Sequence, residues 1–204
     1  MVVGQFIIVK FISGFIMQKY KYQDNLETER LTTRFIRKED DVVWTPFFED
    51  KDTNEFIPDF GLKTSLERAQ HWIERQLNRY KEQKYGHQFL IDKSSKQIVG
   101  QCGLLMQDID GIQELEVGYH IFKQHWGKGY APEAAQMFRD YGLKNNLSDS
   151  IISVIATGNI KSQKVAMKNG MQNEKQTKWM GKDVFIFRIT KKEWESNNQI
   201  KNNK

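Results

Sequence analysis

The stretch Gln124-His125-Trp126-Gly127-Lys128-Gly129-Tyr130-Ala131-Pro132-Glu133-Ala134 constrains the fold of this chain more than any other. It follows a β-rich run at residues 115–122 and opens a helical pattern that the spacing predicts over residues 132–144. Glycines at 127 and 129 let the backbone turn sharply and bring several N–H groups to bear on one point. Pro132 suits a first helical turn, where its missing N–H has no partner to lose. The helix start adds unpaired amides and the positive end of its dipole. Such a turn can seat a pyrophosphate on main-chain groups. A purely structural strand-to-helix turn uses the same residues, so the context on both sides decides.

That context is a series of alternating elements. Residues 26–37 alternate as a strand, and residues 40–48 fit a short helix. Thr64 or Ser65 can cap a helix running to about residue 82, with Leu66, Ala69, Trp72, Ile73, Gln76, Leu77 and Tyr80 at helical spacing and Glu67 in its first turn. Residues 87–92 and 97–107 read as strands joined by a polar turn, and residues 108–113 read as another turn. Residues 151–156 are β-rich, residues 161–169 helical, and residues 175–180 and 183–189 form a closing strand pair around Gly181. With no internal repeat and no interdomain linker, the pattern is one α+β domain over residues 25–195. It is preceded by an extension, 1–24, and followed by a polar tail, 196–204.

Composition removes several classes. One cysteine, Cys102, excludes an internal disulfide and any multi-cysteine metal site, and its apolar setting reads as a small buried thiol. No apolar run reaches the roughly 20 residues of a membrane-spanning helix. The net charge of +5 is spread along the chain, partly in Lys191, Lys192 and residues 201–204, which argues against nucleic acid as partner. Residues 1–16 are mostly apolar, interrupted by Lys10, and lack the basic leader and cleavage site of a secretory signal. Met17 opens a polar stretch that reads as a natural start, so the expectation is a start assigned too far upstream. A short membrane-associating or partner-binding extension is the alternative.

The chain resembles the GNAT superfamily of N-acetyltransferases, and within it the RimJ/RimL-like branch. The resemblance runs from Leu26-Glu27-Thr28-Glu29-Arg30-Leu31 through Glu116-Val117-Gly118-Tyr119 and the loop. It continues to Asn159-Ile160-Lys161-Ser162, Lys168-Asn169-Gly170-Met171 and Trp194. It implies a twisted, mostly antiparallel sheet whose two central strands run parallel and splay, flanked by helices. It also implies acetyl transfer from acetyl-coenzyme A to a primary amine, either a protein N-terminal α-amine, including a ribosomal one, or a small molecule. By the same resemblance Trp126, Gly127, Lys128, Gly129, Tyr130 and Ala131 hold the pyrophosphate, and Ile121 and Phe122 present main-chain groups to the thioester and pantetheine. Asn159 contacts the pantetheine arm or orients a water, with Ser162 one turn on. The family's loop reads Gln/Arg-x-x-Gly-x-Gly/Ala. Gly129 and Ala131 keep that pattern, while Trp126 departs from it. The expected setting is cytoplasmic, as a monomer or homodimer.

Two departures bear on chemistry. Many members place a glutamate base in the strand before Asn159, where this chain has Val154, and a tyrosine acid in the next helix, where it has Ala166. Ser162 is the substitute acid that the resemblance leaves. Alternation puts Glu116, Gly118, His120 and Phe122 on one face of their strand, so Glu116 can take the proton of an incoming ammonium, or else it is structural. His120 is a second candidate base. His71, His87 and His125 lack ligand-like partners, so no metal site is expected. Trp44, Phe47, Phe48, Phe56 and Phe60 are core or wall an acceptor pocket. The interleaved Glu49, Asp50, Asp52, Glu55 and Asp59 would attract a cationic acceptor, or are simply solvated. The rival classes are a non-catalytic acyl-coenzyme A-binding module and a basic RNA- or ribosome-associated protein.

Overall fold

Seven runs of the chain become strands, and where apolar and polar residues alternate, as over residues 182–190, the alternation decides which face turns inward. The structure, a computed structural model, describes residues 22–202 apart from residue 59. The apolar opening at residues 1–16, and with it most of the expected extension 1–24, lies outside the described residues. The elements are β1 (Leu31–Phe35), α1 (Asp41–Glu49), a single turn α2 (Lys51–Asn54), α3 (Ser65–Lys81), β2 (His87–Asp92), β3 (Ile98–Ile109) and β4 (Ile112–Ile121). After these come α4 (Tyr130–Lys144), β5 (Ser150–Ala156), α5 (Ile160–Lys168), β6 (Gln172–Trp179), β7 (Lys182–Thr190) and α6 (Lys191–Asn202). The strands form one sheet in the order β1-β2-β3-β4-β5-β7-β6. Every neighbouring pair is antiparallel except β4 and β5, which are parallel and joined by the crossover helix α4. This is the expected α+β class, a mixed, mostly antiparallel sheet flanked by helices.

Each face of the sheet has its own core. Leu115, Val117 and Ile121 of β4 pack with Leu104, with Phe138 and Leu143 of α4, and with Ile151, Ile155 and Phe187. On the opposite face α1 and α3 lay Trp44, Phe47, Trp72 and Ile73 against Phe89 and Phe122. Phe138 is fully buried, and truncating such a side chain to alanine costs about 3–5 kcal/mol. The N-terminus of α3 carries the full capping box: Glu67 N–H donates to Thr64 Oγ1 at 3.1 Å, and Thr64 N–H donates to Glu67 Oε2 at 2.9 Å.

Four boundaries differ from the sequence reading. The strand expected over residues 26–37 shrinks to Leu31–Phe35, because Thr28 bonds Leu31 in a tight turn at one end. At the other end Asp40 gathers Arg34 and the Arg37 amide. The turn expected over residues 108–113 narrows to Asp110 and Gly111, with φ of 54° and 82°, the pair of left-handed residues that a tight hairpin needs. Helix α4 begins at Tyr130 rather than Pro132, because Gly129 sits at its N-cap with φ 84°. The boundary drawn at residue 195 falls inside α6, so the chain beyond it continues a helix.

Candidate active site

β4 and β5 share one paired position, Glu116 opposite Ile152. Beyond it they part. The ladder with β3 fixes which main-chain groups face the gap. Phe122 N–H donates to Val99 O at 3.1 Å, so His120 and Phe122 turn toward β3 while Val117, Tyr119 and Ile121 turn toward β5. On that side Val117 O accepts from Ser153 Oγ at 2.9 Å, and Ile121 O accepts from the Trp126 indole N–H at 2.8 Å. The N–H and C=O of Tyr119 and the N–H of Ile121 face the opening. It leads into a cleft of about 790 Å³ that runs between the two halves of the sheet.

One end of the cleft is the glycine loop. Gly127 and Gly129 have φ of 77° and 84°, a region that suits glycine, and a Cβ on Gly127 would meet nothing within 4 Å. The loop is braced from outside. Arg30 Nη1 donates to Lys128 O at 2.8 Å, Arg30 Nε donates to Glu133 Oε2 at 2.7 Å, and Tyr130 Oη donates to Asp92 Oδ2 at 2.8 Å. Bonds from Ser94, Ser95 and Tyr130 hold the Asp92 carboxyl well below the usual carboxylate range. Glu133 N–H is the first amide of α4 to reach back, to Gly129 O at 3.3 Å, which leaves the Tyr130 and Ala131 amides at the helix start for a ligand. Lys161 Nζ stands 4.0 Å above the Trp126 ring. A braced loop with two left-handed glycines and orphan amides fits a polyphosphate.

The other end lies on the opposite face of β4. Glu116 is buried, with Oε2 accepting from Gln107 Nε2 at 2.6 Å and Oε1 accepting from Val154 N–H at 3.2 Å. Burial pushes its carboxyl up, opposed by those two bonds and by the nearby Arg79 charge. The His120 ring meets Phe47, Trp72 and His87, and burial pushes it down to about 4. On the α5 side the Tyr119 hydroxyl donates to Ser162 O at 3.0 Å and lies 2.9 Å from Ser162 Oγ. Burial pushes that phenol up, so it holds its proton. Asn159 caps α5, its Oδ1 accepting from Ser162 N–H at 3.1 Å.

Residues 30–172 match the family model described as the acetyltransferase (GNAT) domain. The chain belongs to the GNAT acetyltransferase family. Among relatives of this GNAT chain, the uncharacterized protein YkkB of Bacillus subtilis is 31% identical over 79% of this chain and 93% of that protein. The uncharacterized N-acetyltransferase p20 of Bacillus licheniformis is 28% identical over 84% of this chain and 98% of that protein. The crystal structure of a GNAT-family acetyltransferase from Bacillus anthracis superposes with a TM-score of 0.67 at 24% identity, covering 82% of this chain and 98% of the other.

Most of the residues anticipated for a GNAT site come together. Glu116, Ile121, Trp126, Gly127, Gly129, Tyr130, Ala131, Asn159 and Ser162 all line the cleft. Phe122 and Lys128 do not. The Phe122 amide is spent on Val99 and its ring is packed against Trp44, so it is core rather than donor. Lys128 is exposed outside the cleft, and its carbonyl serves the brace from Arg30. The main-chain groups that the splay turns inward belong to Tyr119 and Ile121. Only the β3–β4 register, which sets Phe122 N–H on Val99, turns the Tyr119 main chain to the cleft. Of the aromatics, Trp44 and Phe48 are core, while Phe47, Phe56 and Phe60 line the cleft. Asp50 and Asp52 are engaged by Lys123, at 3.4 and 2.6 Å. Cys102 is buried, and burial pushes its thiol up. Among the described residues no group of three or more His, Cys, Asp or Glu is placed to hold a metal, and no helix is long and apolar enough to cross a membrane.

Proposed function

We propose that this GNAT acetyltransferase moves an acetyl group from acetyl-coenzyme A to a primary amine by direct attack in a ternary complex. The observation that carries the reading is the continuity of one cleft: the glycine loop at one end, unpaired main chain of β4 at the middle, and a buried carboxylate at the other. Bound acetyl-coenzyme A supplies the activated acyl group. The amides of residues 127–131 bind its pyrophosphate, the Tyr119 and Ile121 main chain orients the arm and thioester, and the Asn159 amide group faces the arm. Placing both reactants in line supplies much of the acceleration.

The two sides of β4 divide the proton traffic. Glu116, on the side of α1 and α3, accepts the proton that the incoming ammonium must lose, and its raised pKa brings it closer to the working range of a general base. His120, pushed down to about 4, is the weaker base. Tyr119, on the side of α5, keeps its proton and donates it to the departing sulfur, with Ser162 holding the hydroxyl. These assignments answer the two departures from the family pattern. The Glu116 carboxylate rests on the amide of Val154, where many members carry the glutamate itself. The Tyr119 hydroxyl reaches α5, where many carry the tyrosine. The sequence blocks around the loop support placement in the RimJ/RimL-like branch.

The test is release of free thiol from acetyl-coenzyme A by the purified protein across a panel of primary amines. Acceptor-dependent release is expected. Tight binding of acetyl-coenzyme A with no release for any amine overturns catalysis in favour of a binding module.

A further inference from the structure

Helix α3 turns Arg75, Gln76 and Arg79 into the cleft. The two arginines are four residues apart, so they stand side by side on one helix face, where like charges repel. Both are half-buried, and among the described residues neither forms an ion pair. Arg30, Arg34, Arg139 and Arg188, by contrast, each hold a carboxylate. Burial pushes the Arg75 and Arg79 guanidinium groups down, and the Arg75 charge pushes Arg79 down further.

The nearby carboxylates are engaged elsewhere. Glu82 pairs with Lys84 at 2.6 Å, and Glu116 bonds Gln107 and the Val154 amide. The acidic residues that the sequence offered for a cationic acceptor are partly neutralised too, since Lys123 holds Asp50 and Asp52. Nor does the cofactor's pyrophosphate explain the pair. Arg79 lies within electrostatic range of Glu116, five residues before Ile121, and at about 3.4 Å per strand residue that is about 17 Å from the end leading into the glycine loop.

Resting on the acetyl-transfer reading, we propose that the acceptor is a small primary amine bearing an anionic oxygen group, a carboxylate or a phosphate, seated on Arg75 and Arg79. The guanidinium forks offer the planar paired donors that such groups accept, and Glu116, within electrostatic range of Arg79 in the same cleft, meets the ammonium of the same molecule. The arginines set which amine is admitted, and Glu116 acts on it.

The experiment compares matched acceptors that differ only in the anion: O-phosphoethanolamine against ethanolamine, and β-alanine against its amide. The anionic member of at least one pair is expected to show a kcat/KM higher by about tenfold or more, and which pair responds separates phosphate from carboxylate. Arg75→Gln and Arg79→Gln should each erase most of that preference, read within each variant as the ratio of kcat/KM for the anionic and the neutral member. A purely structural arginine would lower both members by the same factor and leave the ratio intact, which overturns the proposal. So does a preference for neutral amines, for diamines or for a peptide N-terminus, and in those cases acetyl transfer itself still stands. Absence of thiol release with every amine overturns the acetyl-transfer reading instead. The anion site is then judged by calorimetry of O-phosphoethanolamine and β-alanine on the protein saturated with coenzyme A. Binding that the arginine variants lose supports the site, and no binding overturns it. Should Arg79→Gln fail to fold, Arg79→Lys gives the same comparison, with partial loss expected.

Discussion

Replacing Glu116 with glutamine removes a charge and keeps a shape, and the surroundings show what the exchange costs. In the wild type Oε1 accepts from Val154 N–H at 3.2 Å and Oε2 accepts from Gln107 Nε2 at 2.6 Å. The glutamine oxygen keeps the first bond. Its NH2 then faces another NH2, a conflict that ends when the Gln107 amide rotates by half a turn and accepts instead. The fold therefore survives, and the loss falls on chemistry. A positioned general base contributes about 10²–10⁴-fold, so turnover should fall by that factor, about 2.7–5.4 kcal/mol at 1.36 kcal/mol per decade. Acetyl-coenzyme A affinity should stay level, because the glycine loop proposed to hold it lies at the other end of the cleft. The low-pH limb of the rate profile, which reports Glu116 losing its proton above the ordinary 4.5, should vanish. Stability gives an independent sign. Burial raises the folded pKa, so the protonated carboxyl is the form the fold favours. That contribution is fully present below the unfolded pKa and is lost as pH rises through the folded one. Glutamine titrates nowhere, so the melting temperature of Glu116→Gln should gain on the wild type as pH climbs from the carboxylate range toward neutrality. Thiol-release kinetics and thermal melts across that pH range measure both. A folded variant with unchanged turnover and an unchanged acid limb refutes the base assignment and leaves a water held by Asn159 as the next candidate.

Gly129→Val must hold a branched side chain at φ 84° and set its Cβ 3.2 Å from Arg30 Nη2. Calorimetry should find acetyl-coenzyme A binding weaker by about tenfold, or about 1.4 kcal/mol, and wild-type affinity in a folded variant would remove the loop from the cofactor site. Tyr119→Phe deletes the hydroxyl on Ser162 and should lower kcat by about tenfold or more, most visibly for poorly activated leaving thiols, while cofactor affinity stays level. Equal losses in kcat and affinity would make the phenol a structural prop. Thr64→Ala breaks the capping box of α3 and should cost about 1 kcal/mol, read as a fall in Tm of about 2–4 °C with the rate per folded molecule unchanged.

The sequence showed the sheet, the loop and the helix cap because each rests on short-range rules: alternation, glycine conformational freedom and a Thr-x-x-Glu reach-back. It misplaced what depends on partners distant in the chain. Ladder parity across β3 and β4 decides that Phe122 points its amide away from the cleft and Tyr119 toward it, and parity follows from a pairing register that no local pattern reveals. The brace that the Lys128 carbonyl receives from Arg30, almost a hundred residues earlier in the chain, was likewise hidden from local pattern. Nothing in the local sequence singles out Arg75 and Arg79, which lie on the amphipathic helix α3. Their lack of ion-pair partners becomes visible only once β4 and the turn carrying Phe60 are folded around them. Glu116 was legible as a candidate, but its contact with the Val154 amide joins two strands across a parallel step.

A single rung between β4 and β5 also makes the protein two leaves bound along a short spine. Whatever lies in the fold touches both leaves and acts as the missing stitching. Without it, the Tyr119 and Ile121 amides should trade protons with water quickly. With it, they should rank among the slowly exchanging groups of the sheet. A ligand at a hundredfold excess over its Kd adds about 2.7 kcal/mol to the folded state, comparable with the loss of a buried leucine. The folded fraction of such a two-leaved sheet would then depend on the supply of whatever the cleft binds as well as on its own side chains.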